Sequence, residues 1–301
     1  MARLLLPIAA AALLASPAVA RTPDIRTEDV ERFYALYDAA GGKPTAEVLQ
    51  RDYLDKGTPG LKEFARLRRI TGERIAAAIA QTPKVYTDAR DCAALLPKIT
   101  ARLSASLTRL GEIYPEASFP PVTLTIGRSR PVGVANATGV YIGLEALCAW
   151  EMPDPDRENR FVHVIAHEFV HVQQPGAQVE DDKASVLHAS LLEGGAELIG
   201  ELMSGSLSYK HLLTATRGRE KEFETAFLAD IDKPAMGSNW LYNGLGTPEN
   251  PTDLGYWIGY RIAKAYYAKA QDKRAAVKAI IEMKDPKAFL AASGWTPGMR
   301  F

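Results

Sequence analysis

Five residues, His167-Glu168-Phe169-Val170-His171, constrain this chain more than any other stretch. They sit in an apolar run, Phe161 to Val172, bounded by Pro153-Asp154-Pro155-Asp156 on one side and Pro175 on the other. Such a run between proline breaks predicts a helix. On a helix, residues four apart share a face and lie about 6 Å apart along the axis. Two imidazoles so spaced can converge on one Zn2+ with bonds of about 2.0–2.1 Å. Glu168 projects from the same side, where it can take a proton from a water at the ion. The rest of the chain has to complete that site.

Residues 1–20 read as an export leader. Met1-Ala2-Arg3 gives a positive start, Leu4 to Leu14 an apolar core, and Ala18-Val19-Ala20 a cleavage signal ahead of Arg21. The chain is then expected outside the bacterial cytoplasm, periplasmic or secreted. Residues 21–301 are expected to form one domain: a helical part over 27–114, a small sheet with the metal helices over 120–206, and a helical part over 207–301. No later stretch has the length of a transmembrane helix. Lys and Arg number 36, as do Asp and Glu. That balance gives no electrostatic footprint for nucleic acid or an anionic membrane. Cys92 and Cys148 can pair in an oxidising compartment or remain two buried thiols, and their spacing is not that of metal ligands.

Apolar periodicity predicts helices over 27–40, 45–56, 61–70, 71–81 and 91–114, with Pro97 in the first turns of the last. The pattern then changes. Val122-Thr123-Leu124-Thr125-Ile126 alternates as a half-buried strand does, and 139–144 is a second strand candidate after a loop over 127–138. An exposed strand edge there would hold an extended peptide by main-chain pairing, although an ordinary hairpin has the same pattern. Helices are predicted again over 183–203, 211–230, 253–270, 272–283 and 286–293. The irregular segment 232–251, carrying Trp240 and Tyr242, has the character of a lid or rim. The fold class is mainly α with a small sheet, α+β.

A catalytic zinc site takes three protein ligands and leaves one position open. Glu193, Glu197 and Glu201 recur every four residues on one helix, and a buried row of carboxylates calls for a compensating cation. Glu193 is assigned as third ligand. Glu197, one turn on, is assigned to accept a hydrogen bond from the outer nitrogen of a ligand histidine, with the exchange of the two roles kept open. Gly194-Gly195 inside a helix costs about 1 kcal/mol per glycine relative to alanine, which makes sense if these glycines face the helix of His167 and His171. His163 reads as a flanking residue, and His188 and His211 as satisfied structural or surface histidines. Tyr256 and Tyr260, four apart and flanked by Gly255 and Gly259, or Arg261 beside them, are the best source of an oxyanion donor.

His-Glu-Phe-Val-His-Val-Gln-Gln at 167–174, Glu-Gly-Gly-Ala-Glu at 193–197, Pro-Thr-Asp-Leu-Gly-Tyr-Trp-Ile-Gly-Tyr at 251–260 and Asp-Pro-x-x-Phe-Leu-x-x-Ser at 285–293 together resemble a bacterial family. It is a domain-of-unknown-function family of Zn-dependent proteases, akin to the gliding-motility lipoprotein group. The resemblance spans about residues 45–295. It implies a zincin-like metallopeptidase fold of the gluzincin kind, one Zn2+ per chain, a peptide or protein substrate, and Glu193 as the third ligand. The expected activity is hydrolysis of peptide bonds by a metal-activated water with Glu168 as base. The alternatives are a non-catalytic cell-envelope binding factor on the same fold, or a metal-dependent amidase with a non-peptide substrate.

Overall fold

The computed structural model describes residues 24–301 apart from 131, 152, 153, 208, 245 and 248. The leader assigned to residues 1–20 lies outside the described residues. The chain is mainly helical around a four-stranded sheet, which agrees with the α+β class. The strands are β1 (Ile25–Arg26), β2 (Val122–Thr125), β3 (Gly133–Asn136) and β4 (Gly139–Gly143), in the order β1-β2-β4-β3. β1, β2 and β4 run parallel, and β3 turns back antiparallel on β4, pairing Gly133 with Ile142 and Asn136 with Gly139.

β2 is buried along its whole length rather than on alternate residues. It has a strand on each side and a helix, Pro59–Arg68, on one face. Gly60 of that helix lies so close that a Cβ there would fall 2.2 Å from Thr123 Oγ1. β3 occupies part of the predicted 127–138 loop. Its composition carries little strand signal, and its pairing with β4 supplies what local propensity does not. Glu145 stabilises the approach to it. This buried carboxylate accepts the backbone N–H of Gly127 and of Ser129, both at 2.9 Å.

Helix boundaries differ from the predicted ones where the backbone demands it. The 91–114 stretch is two helices, Pro83–Ala94 and Leu96–Ile113. Pro97 cannot donate to the carbonyl of Ala93, so one continuous helix would have lost a hydrogen bond there and met a ring clash. The 211–230 stretch divides into Lys210–Ala215 and Glu220–Asp230, with Gly218 between them at φ +79°. The 45–56 stretch opens as a short α turn and continues as a π-helix over Leu49–Leu54.

Three helices carry the site. The histidine helix, Arg157–Gln173, starts at Asp156, whose side chain accepts the Asn159 N–H at 2.7 Å. Its buried Arg160 donates to the carbonyls of Leu147, Cys148 and Asp154, tying the helix to the chain that leads from β4. The acidic helix, Val186–Ser204, is capped by Ser185 and ended by Gly205 at φ +71°. The closing helix, Leu254–Lys269, packs against the acidic helix along most of its length. Buried apolar side chains from Val30 to Trp295 form one continuous core around them. Cys92 and Cys148 are joined as a disulfide between the Pro83–Ala94 helix and the Leu144–Ala149 helix. Among the described residues no helix is long and apolar enough to cross a membrane.

Candidate metal centre

The histidine helix lies against β3 and β4 on one side and the acidic helix on the other. His167 and His171 project toward the acidic helix, and their Nε2 atoms are 3.1 Å apart. Glu193 Oε2 is 3.2 Å from each. These three atoms form a nearly equilateral triangle. A tetrahedral ion with bonds of about 2.0–2.1 Å has ligand atoms about 3.3–3.4 Å apart, so the triangle is close to one face of such a tetrahedron.

The outer partners decide what the triangle presents. Gln174 Nε2 donates to the Leu192 carbonyl at 2.8 Å, which fixes the amide so that its oxygen faces His171 Nδ1 at 2.7 Å. An amide oxygen only accepts, so a neutral His171 carries its proton on Nδ1 and turns the lone pair of Nε2 inward. His167 Nδ1 lies 2.7 Å from Glu197 Oε1, within ion-pair distance but outside hydrogen-bond geometry. Two imidazole Nε2 atoms and a carboxylate oxygen thus converge across about 3 Å. Protons or a cation must hold them there. The donor set, two imidazoles and one carboxylate, is one that zinc takes.

The electrostatics agree. Burial works against a charged His167, but Glu197 and Glu193 outweigh it and hold the imidazole well above its ordinary value. Burial is likewise outweighed at His171, by Glu193, and the ring is raised. Burial would push Glu193 up, yet His171 and His167 hold it below the usual carboxylate range. Glu197 is held low in the same way by His163 and His167. In the absence of an ion the cluster keeps protons that a divalent cation would displace.

His163 does not join the triangle. Its Nε2 lies 3.3 Å from Glu197 Oε2 and its Nδ1 3.2 Å from Ser204 Oγ, so Glu197 is held between His163 and His167. A Cβ built on Gly133 would stand 3.6 Å from the Glu168 carboxyl carbon, which puts this carboxylate beside the β3 edge.

The two glycines of the acidic helix do not face the histidine helix as the sequence reading had it. A Cβ on Gly194 would fall 2.1 Å from the backbone of Gly259 and Tyr260, on the closing helix, and one on Gly195 would fall 3.1 Å from Ile280 Cγ2. The residue that lets the histidine helix approach is Gly200, whose Cβ position is 3.3 Å from His163 Cε1. At about 100° per residue, Glu197 and Gly200 lie within about 40° of Glu193 around the helix, whereas Gly194 is about 100° away. Glu201 is rotated about 80° from Glu193 by the same count. It leaves the carboxylate row and instead accepts the Tyr260 hydroxyl at 2.7 Å.

Tyr260 is therefore not brought to the cluster as an oxyanion donor: its hydroxyl is engaged by Glu201 and by Lys264 Nζ. Arg261 is likewise turned away, into an ion pair with Glu224. Tyr256 is brought there, its ring stacked over His167 with centroids 6.2 Å apart. Burial, with Glu193 nearby, raises Tyr256 well above its ordinary pKa, so its hydroxyl stays a proton donor. Two residues given no role by the sequence reading join the site. Tyr242 donates to Glu193 Oε1 at 2.9 Å, and Tyr209 packs on Tyr256 at 5.0 Å. His211 sits beside Tyr209, and neither ring nitrogen has a hydrogen-bond partner among the described residues, so it is not the satisfied histidine expected.

Gln174 had a legible signal: an amide three residues past His171, at the helix end, is well placed to turn back on the ring. Tyr242 had none beyond lying in the irregular segment, because its contact with Glu193 spans 49 residues. No protein of curated function and no solved structure matches the chain. The segment that runs from the Leu96–Ile113 helix through the sheet and all three site helices carries the family signature. By the match of residues 105–286 to its model, the chain belongs to the family described as predicted Zn-dependent proteases (DUF2268).

Proposed function

We propose that the protein is an exported zinc metallopeptidase in which His167, His171 and Glu193 hold one Zn2+. The observation that carries this reading is the convergence of the two Nε2 atoms with Glu193 Oε2, each within 3.2 Å of the others. Those three residues also form a metal-capable group by distance and burial. A helix bearing both histidines, a sheet edge beside it and a following helix that supplies the acid support a zincin-like arrangement of the gluzincin kind. Bound there, zinc supplies a Lewis acid for a substrate carbonyl and lowers the pKa of water.

The chain's own groups divide the remaining work. Glu168 takes the proton from the attacking water and passes it toward the leaving amine. Gln174 keeps a neutral His171 in the tautomer that leaves Nε2 bare, and the Glu197 carboxylate lies against the outer nitrogen of His167. The Tyr256 hydroxyl is the donor best placed for the developing oxyanion. β3 supplies the docking edge. Val132 O accepts from Gly143 N, so by alternation Gly133 and Ala135 turn their amides outward. Arg68 already donates to the Gly133 carbonyl at 3.0 Å, which leaves Gly133 N–H and both groups of Ala135 for an extended peptide. The leader pattern of residues 1–20 and the Cys92–Cys148 disulfide support a location outside the reducing cytoplasm.

The test is a peptide-library digest with the zinc-loaded protein, with and without chelator, beside Glu168→Gln. Chelator-sensitive cleavage that Glu168→Gln loses while retaining its zinc supports the proposal. Zinc retained by both proteins with no peptide cleaved by either removes the peptidase reading. A binding factor or a non-peptide amidase would then be the better description.

A further inference from the structure

We infer that Tyr242 is a positioning residue that clamps Glu193 so that it ligates through one oxygen only. The inference rests on the metal site proposed above. Glu193 offers two oxygens. Oε2 faces both imidazoles, while Oε1 accepts the Tyr242 hydroxyl at 2.9 Å. Among the described residues no other donor reaches Oε1. A carboxylate with one oxygen on an ion can rotate its second oxygen in and chelate. Chelation would fill the coordination position that a catalytic site keeps for water or substrate. A hydrogen bond to the far oxygen opposes that rotation. A neutral hydroxyl does so without cancelling the ligand's charge, as an ammonium or guanidinium would.

The chain is built to deliver that hydroxyl. Tyr242 sits in the left-handed region at φ +57°, uncommon for a bulky aromatic residue. It is held there by contacts to the start of the closing helix. Its N–H donates to Asp253 Oδ1 at 3.2 Å, and Asp253 N donates to Asn243 Oδ1 at 3.0 Å. Asp253 is itself at φ +58°. Thr252 Oγ1 donates to the Gly244 carbonyl at 2.8 Å, closing the latch between the two segments. Strain held in place by surrounding bonds is a mark of function rather than of packing. Packing alone does not explain the placement, since Tyr242 is 52% exposed and its ring meets that of Tyr256 edge-on, with the two hydroxyls close enough to interact. The Tyr256 ring in turn stacks on His167, so the latch reaches both a ligand carboxylate and a ligand imidazole.

Tyr242→Phe removes the hydroxyl and keeps the ring; Tyr242→Ala removes both. Zinc affinity is measured by competition with a chromophoric chelator, and coordination number by the visible d–d band of the Co2+-substituted protein, which weakens as coordination rises above four. The clamp predicts that both variants lose about tenfold in zinc affinity, as loss of an outer hydrogen bond to a ligand does, and that both show a weaker cobalt band. Wild-type affinity or a wild-type cobalt band in Tyr242→Phe overturns the clamp, even if Tyr242→Ala is impaired, because the ring alone would then be what matters. A wild-type protein that takes up neither metal overturns the clamp together with the site. A zinc-binding wild type with an indifferent Tyr242→Phe overturns the clamp only.

Discussion

Gly194→Ala tests the helix packing that sets the site. The new methyl carbon would lie 2.1 Å from Gly259 C and from Tyr260 N, and 2.6 Å from Gly259 Cα. All three are backbone atoms, so no rotamer change relieves the overlap. Nor can the closing helix shift easily, because Gly259 is itself pressed against the Ser190 carbonyl. Overpacking of this kind costs about 3 kcal/mol or more when the neighbours cannot yield. Alanine returns about 1 kcal/mol through helix propensity. The net loss is about 2 kcal/mol, which for a domain of this size lowers Tm by about 3–4 °C. Gly195→Ala is the control. Its methyl meets the Ile280 Cγ2 side-chain atom at 3.1 Å, which can give by a few tenths of an ångström, so strain and helix gain nearly cancel. Thermal unfolding of the metal-free proteins reads both. A Gly194→Ala variant as stable as wild type, or one less destabilised than Gly195→Ala, refutes the backbone contact of the acidic and closing helices.

Gln174→Leu removes the acceptor that fixes the His171 tautomer and should weaken zinc binding by about 10–100-fold; chelator competition reads it, and an unchanged Kd removes the role given to Gln174. The pH dependence has a definite sign. His167 and His171 are raised above their ordinary values in the metal-free protein, so their contribution to its stability is complete below about pH 6.5 and is lost as pH rises through the folded values. Zinc requires them deprotonated, so its uptake at pH 7 should release protons, and the Tm gain from zinc should widen as pH rises above about 6.5. Calorimetry in buffers of different ionisation enthalpy counts the protons, and none released contradicts the cluster's electrostatics. Replacing Cys92 and Cys148 with serine opens a link across 56 residues, a loss of about 4 kcal/mol by loop entropy, and denaturant unfolding measures it.

The parts of this protein legible in the sequence are those set by local spacing. His167 and His171 are four residues apart on a helix whose breaks are proline and aspartate, so their shared face follows from geometry alone. The Glu193 and Glu197 pair is equally local. Misreadings arose where a pattern was carried too far around or across the fold. Glu201 continues the four-residue spacing but drifts off the face, and Gly194 and Gly195 were never on it. Counting the helical rotation identifies Gly200 as the residue of close approach from sequence alone. Tyr260 followed Tyr256 by the same spacing, yet one turn of helix places it against Glu201 instead of His167. β3 has the composition of a loop, and its pairing partner β4, not its own residues, makes it a strand. Tyr242 depends on two left-handed residues eleven apart and a latch between them, and no periodicity marks such an arrangement.

If His167, His171 and Glu193 form one zinc site, the chain binds a single ion and loses it with either imidazole. Metal content by mass spectrometry, on the chain purified without added metal and then equilibrated with zinc and dialysed, tests it most directly when wild type is compared with His171→Ala. The expected result is one zinc per wild-type chain and well under one in His171→Ala, with both proteins folded by circular dichroism. A wild type without stoichiometric zinc, or a His171→Ala variant that holds as much as wild type, contradicts it.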